Sequence, residues 1–147
     1  MNIKIIISML FLLILTLSAA IAAENQSKPR LNDAEIRQKL VGKWLVDLNS
    51  IRGRTLTGST SNFSNGTCLG ESIFKREQNA NTNISYECIW EVKDGFLIKT
   101  VTKTDNPKLI PLGLVTRDYV IRVDDKQYAY RTESGMFVVR ERIMDGN

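Results

Sequence analysis

The chain has 147 residues, a formal net charge of +4 and no histidine. That length suits one domain, and the missing histidine removes the commonest general base and the commonest metal ligand together. Lysine and arginine are scattered along the chain and not clustered, so no nucleic-acid partner is expected and the charge reads as solubilising.

The first 23 residues read as a secretory signal peptide. Lys4 is followed by an apolar run from Ile5 to Leu17 and then by the small residues Ser18, Ala19 and Ala20, with cleavage expected after Ala22 or Ala23. The run is shorter than the ~18 apolar residues of a spanning helix, so no stable membrane insertion is expected after cleavage. No cysteine follows the cleavage site, which argues against a lipid anchor. Removing the segment takes only Lys4 from the charge count, leaving +3. The mature protein is expected to be exported, periplasmic or secreted, where Cys68 and Cys88 can form one disulfide with no thiol left over. Residues 24–30 are polar, include Pro29 and read as a disordered leader. A single domain is expected over 31–147.

A short helix opens that domain, with Asn32 as its cap, Glu35 completing a capping box and Leu31, Ile36, Leu40 and Val41 as its apolar face. Gly42 ends it, and Trp44, Val46 and Leu48 then alternate onto one side of a first strand. Eight strands are expected, near 43–49, 54–63, 67–76, 82–92, 96–104, 116–123, 126–132 and 136–143. Turn chemistry lies at Asn65-Gly66, Gln78 to Asn81, Asp94-Gly95, Asp124-Asp125 and Ser134-Gly135. Connections this short join antiparallel neighbours. The fold class is therefore all-β, an eight-stranded antiparallel up-and-down barrel with a short N-terminal helix.

Cys68 and Cys88 are equidistant from the turn around Gln78 and should face each other across one hairpin. That register sets Gly70 against Tyr86, Ser72 against Ile84 and Phe74 against Thr82, with Ile84, Tyr86, Cys88, Trp90 and Val92 facing inward. The next hairpin has two registers. A two-residue Asp94-Gly95 turn pairs Val92 with Leu97 and sends Lys99, Val101 and Lys103 inside, creating an anion-binding interior. A three-residue loop with a glycine bulge pairs Val92 with Phe96 and sends Phe96 and Ile98 inside. The bulge is preferred, because it avoids burying two lysines at several kcal/mol each.

The connection from Asp105 to Val115 is longer than the others and apolar where a solvent loop is usually polar. It reads as a lid over the barrel mouth, a surface for a partner, or leucines that complete the end of the core.

An exported chain with a short helix, Gly42-x-Trp44 opening the first strand, an eight-strand meander and a last strand ending Val138-Val139-Arg140-Glu141-Arg142 resembles the lipocalin and calycin superfamily. It is most similar to the small bacterial lipocalin-like domains. The resemblance implies that Trp44 lies at the closed end of the barrel with an arginine from the last strand across its ring, Arg140 being the first match and Arg142 the second. The chain lacks the Thr-Asp-Tyr type of turn motif found in many members, and it is shorter than most.

No catalytic constellation emerges. Both cysteines are expected to be bonded, a serine triad has no histidine, and Asp124-Asp125 is hairpin-turn chemistry. The protein is expected not to be an enzyme and to need no cofactor. Sequons occur at Asn25, Asn62, Asn65 and Asn83. The expected function is binding of a small apolar or amphipathic ligand, lined by Phe74, Tyr86, Trp90, Phe96, Tyr128 and Tyr130, with Arg117 or Arg131 meeting its polar end. The alternative is a protein-interaction module, such as a periplasmic inhibitor or toxin-neutralising protein, using the loop from Asp105 to Val115 and the tip from Gln78 to Asn83.

Overall fold

The computed structural model describes residues 31–48, 54–76 and 79–144. The expected signal peptide and leader lie outside the described residues, as do parts of the turns after the first and third strands.

The helix α1 spans Asp33–Leu40. The Asn32 side chain accepts from the Glu35 N–H and the Glu35 carboxylate accepts from the Asn32 N–H, so the expected capping box is formed. Asp33 and Glu35 in the first turn and Arg37 and Lys39 in the last oppose the helix dipole favourably at both ends. Eight strands follow: β1 Gly42–Leu48, β2 Arg54–Asn62, β3 Thr67–Arg76, β4 Asn79–Lys93, β5 Phe96–Thr104, β6 Val115–Val123, β7 Gln127–Arg131 and β8 Phe137–Glu141. Each pairs antiparallel with the next in one sheet. β8 returns to β1 through a bridge between Trp44 and Arg142, and the Ile143 N–H donates to the Lys43 carbonyl at 2.8 Å. The sheet is thus a nearly closed up-and-down barrel, as the strand spacing predicted.

The strands alternate as a one-sided sheet must. Trp44, Val46, Thr60, Asn62, Cys68, Ser72, Ile84, Cys88 and Trp90 are buried, while Leu45, Leu69, Ile73 and Ile89 between them face out. Cys68 and Cys88 are directly opposed and bonded, and Gly70 pairs with Tyr86, Ser72 with Ile84 and Phe74 with Thr82. The register inferred from the cysteines is therefore the one that forms. α1 covers one end of the barrel, where Ile36 and Leu40 join Trp44, Trp90, Leu97, Val123 and Tyr128 in the core.

The β4–β5 hairpin corrects the expected bulge. Asp94 and Gly95 form a two-residue turn with φ of 55° and 78°, and Val92 pairs with Leu97. The reason is tertiary. The Asp33 carboxylate accepts from the Asp94 and Gly95 N–H groups at 2.7 and 2.8 Å, which fastens the tight turn to α1. Leu97 is fully buried, and Phe96 and Ile98 lie on the outer face. Lys99, between Leu97 and Val101, faces inward. Lys103 does not follow it, because Cys88 pairs with Val101 and Glu87 with Lys103, leaving Thr102 as an extra residue that turns the strand over. Lys103 then reaches Glu87 on the outside at 2.8 Å. A second such residue, Ile121, is inserted in β6 opposite β7.

Candidate functional site

The floor of the barrel is assembled from the α1 C-terminus. Its last carbonyls need partners, and the barrel supplies them. Trp44 Nε1 and Asn62 Nδ2 both donate to the Leu40 carbonyl, at 2.9 and 3.0 Å. Arg142 donates from Nη1 to the Val41 carbonyl at 2.7 Å and from Nη2 to the Lys39 carbonyl at 2.6 Å, with its guanidinium carbon 4.1 Å from the Trp44 ring centroid. Gly42 has φ of 130°, and a Cβ there would occupy the place of Arg142 Nη1. This gives the Gly-x-Trp spacing its physical basis: the glycine makes room for the arginine that lies over the indole. The arginine is Arg142, the second match; the first, Arg140, has its guanidinium over Tyr130. One residue, Glu141, separates them, so both face the same side and only the one at the bridge reaches Trp44.

Of the residues expected to line a ligand site, Tyr86, Tyr128, Tyr130 and Phe74 occupy inward positions, and Trp90 is buried beside α1. Trp90 Nε1 donates to the Phe63 carbonyl at 3.0 Å, and the Arg37 guanidinium lies 4.9 Å from its ring centroid. It is part of the floor. Tyr128 meets Trp44 edge-on at 4.7 Å and stacks with Tyr130 at 5.4 Å. The Tyr86 ring lies flat against Gly70, where any Cβ would collide with it, and its hydroxyl is 3.4 Å from Thr60 Oγ1. Phe96, Arg117 and Arg131 are outside. Phe96 pairs with Tyr119 and carries Arg117 over its ring at 5.2 Å, and Arg131 is exposed opposite Tyr119 and Phe137. Phe96 and Arg117 are displaced by the tight β4–β5 turn, which turns out the face of β5 expected to point in, and Arg131 faces out as the neighbour of the inward Tyr130.

In their place the interior holds Lys99 from β5, Asp118 from β6 and Arg140 from β8. Asp118 pairs with the fully buried Leu97, which sets it on the inner face. Arg140 donates from Nε and Nη2 to the Tyr130 hydroxyl at 3.1 and 2.9 Å. Burial, and then the like charge of Arg140, lower the Lys99 ammonium to a pKa of about 7, with Asp118 opposing. Burial raises the Asp118 carboxyl against the pull of Arg140 and Lys99. Burial likewise pushes the Tyr128 and Tyr130 hydroxyls up, keeping them neutral donors. Sequence reasoning placed Lys99 inside only in the tight-turn register it did not prefer, and it did not name Asp118 at all.

A depression of about 470 Å³ lies on the outer face, lined by Ser59, Glu71, Asn83, Ser85 and Asp105 among others. The Asp105 carboxylate there already accepts from the Ser85 N–H and Oγ at 3.0 and 2.9 Å, so its chemistry is spent on holding the loop. In the connection from Asp105 to Val115, Leu109 and Ile110 are half-buried, whereas Leu112 is 66% exposed and Leu114 and Val115 also stand out.

The fold and this interior define the protein as a small disulfide-bonded β-barrel with a charged, tyrosine-lined inner wall above an indole floor. No protein-family model matches the chain, and no curated protein is significantly similar to it.

Proposed function

We propose that the protein is an exported, lipocalin-like binding protein that takes a small amphipathic ligand into the barrel. The observation that carries this reading is the gradient along the inner wall. Trp44, Leu97 and Tyr128 near α1 are essentially inaccessible, while Tyr86, Phe74, Lys99 and Asp118 face the same interior yet remain half-buried. Inward groups that keep accessible surface line space that a guest can enter. The signal-like N-terminus, the disulfide and the Gly42, Trp44 and Arg142 constellation support export and the lipocalin likeness. Native mass spectrometry of the protein from its exported compartment tests the reading. A bound small molecule released on unfolding is expected; a bare oxidised chain, with no binding of added amphiphiles, overturns it.

A second reading rests on Leu112 and Leu114 in the loop before β6 and Val115 at its start, all three exposed. They suit docking to a protein partner. Capture of a partner that is lost on Leu112→Asp supports this reading, and equal recovery with the variant rejects it.

A further inference from the structure

We propose that the inner wall holds the head of an amphipathic monoanion, a carboxylate or similar singly charged oxyacid on an apolar body, between Lys99 and Arg140. This deepens the ligand-binding reading above and rests on it.

Three strands, far apart in sequence, bring three charged groups to one interior: Lys99, Arg140 and Asp118. Two are cationic and one anionic, so the wall carries one uncompensated positive charge when all are ionised. They do not neutralise each other by contact. Among the described residues the ion pairs are Lys39 with Asp125 and Lys103 with Glu87, both elsewhere. Lys99 pairs with the buried Trp90 across the β4–β5 ladder and lies two residues from the fully buried Leu97; an ammonium in such surroundings is costly, and a guest anion is the group that relieves it.

The donors suit an oxyanion. Lys99 supplies an ammonium and Arg140 a guanidinium, whose Nε and Nη2 donate to the Tyr130 hydroxyl. The Tyr130 oxygen accepts from Arg140, so its own proton is directed onward, and burial keeps that proton in place. Asp118 is the only acid of the three, and Glu133 acts on it electrostatically. One excess charge matches a monoanion; a dianion reverses the sign of the wall. The Tyr86 ring against Gly70, with Phe74, Ile84 and Val120, offers the apolar surface for the remainder.

The charged groups acting on Lys99 are Arg140 from β8 and Asp118 from β6, and Tyr128 and Tyr130 from β7 and Tyr86 from β4 act in turn on Arg140. With Lys99 at about 7 in the empty protein, a bound anion favours the ammonium. Affinity for the anion therefore falls as pH rises from about 6 to about 9.

The test compares anilinonaphthalene sulfonate, a fluorescent monoanion, with phenylnaphthylamine, the same ring system without the sulfonate, and uses dodecanoate as competitor. At about pH 6 the sulfonate is expected to bind about tenfold more tightly than the neutral dye, and dodecanoate to displace it. Lys99→Gln should lower sulfonate affinity about tenfold and leave the neutral dye within about twofold, while Lys99→Arg keeps the preference and loses the pH dependence. Equal binding of the two dyes to the native protein, or a preference that survives in Lys99→Gln, overturns the anionic head and leaves a ligand-binding barrel. If neither dye binds the native protein, the ligand-binding reading itself falls.

Discussion

The Arg142 guanidinium lies 4.1 Å from the centroid of the Trp44 ring and at the same time donates to the Val41 and Lys39 carbonyls. One side chain from the end of the chain thus caps the only described helix, covers the indole that floors the barrel, and belongs to the bridge that closes β8 onto β1. Removing it strands two helix carbonyls and opens the closure together. Arg142→Ala is expected to cost about 3 kcal/mol of unfolding free energy by denaturant titration. Arg142→Lys should recover only part of that, because one ammonium cannot span two carbonyls and cover a ring. Loss of less than about 1 kcal/mol in the alanine variant rules out this role.

Gly42→Ala should be comparably damaging, at about 2 kcal/mol, because its φ of 130° is strained for any side chain and the new methyl displaces Arg142 Nη1. The two changes act on one contact, so the double variant is expected to be less destabilised than the sum. Strict additivity in that cycle separates the two residues.

Asp33→Asn keeps the shape of the side chain that holds the β4–β5 turn but removes its charge and one of its two acceptors. A loss of about 1 to 2 kcal/mol is expected. Amide hydrogen exchange at Asp94 and Gly95 should accelerate in the variant. Unchanged protection there shows that Asp-Gly preference alone sets the turn.

The disulfide joins residues 20 apart in sequence, and both cysteines are buried. Replacing both with alanine should lower stability by about 3 kcal/mol, chiefly by freeing the unfolded chain. The barrel register should survive, since Ile84 and Trp90 still demand the same face. A changed pattern of β3–β4 amide contacts in the variant contradicts this.

Lys99 gives stability a distinct pH dependence. Its folded pKa of about 7 lies below the unfolded value, so between about 7 and about 10 the unfolded chain binds the proton that the folded chain has lost. Its burial penalty is full below that window and disappears through it as pH rises. Native protein should gain stability relative to Lys99→Met as pH is raised from about 7 to about 10, read from paired denaturation curves. A constant difference across that range places Lys99 in water.

Much of the barrel is legible in local sequence. Asn32 and Glu35 announce the helix start, the alternation of Trp44, Val46 and their neighbours sets the inward face, and two cysteines equidistant from one turn fix a hairpin register with no further information. The β4–β5 hairpin is different. Asp94-Gly95 is compatible with a tight or a bulged turn, and the aversion to buried lysine favours the wrong one. Asp33, 61 residues away, binds the tight turn's amides, and an extra residue at Thr102 then spares Lys103 the interior that Lys99 enters. Neither contact leaves a trace in the spacing of the strands themselves.

What the sequence by itself determined is the set of elements and most of their faces, because helix caps, glycine turns and two-residue alternation are properties of neighbouring residues. Which arginine covers Trp44, and which charged groups share the interior, was decided only by tertiary structure. The first depends on the bridge that closes the barrel at Trp44 and Arg142, and the second on a single carboxylate reaching a distant turn and on inserted residues in β5 and β6, each of which reverses the facing of everything beyond it.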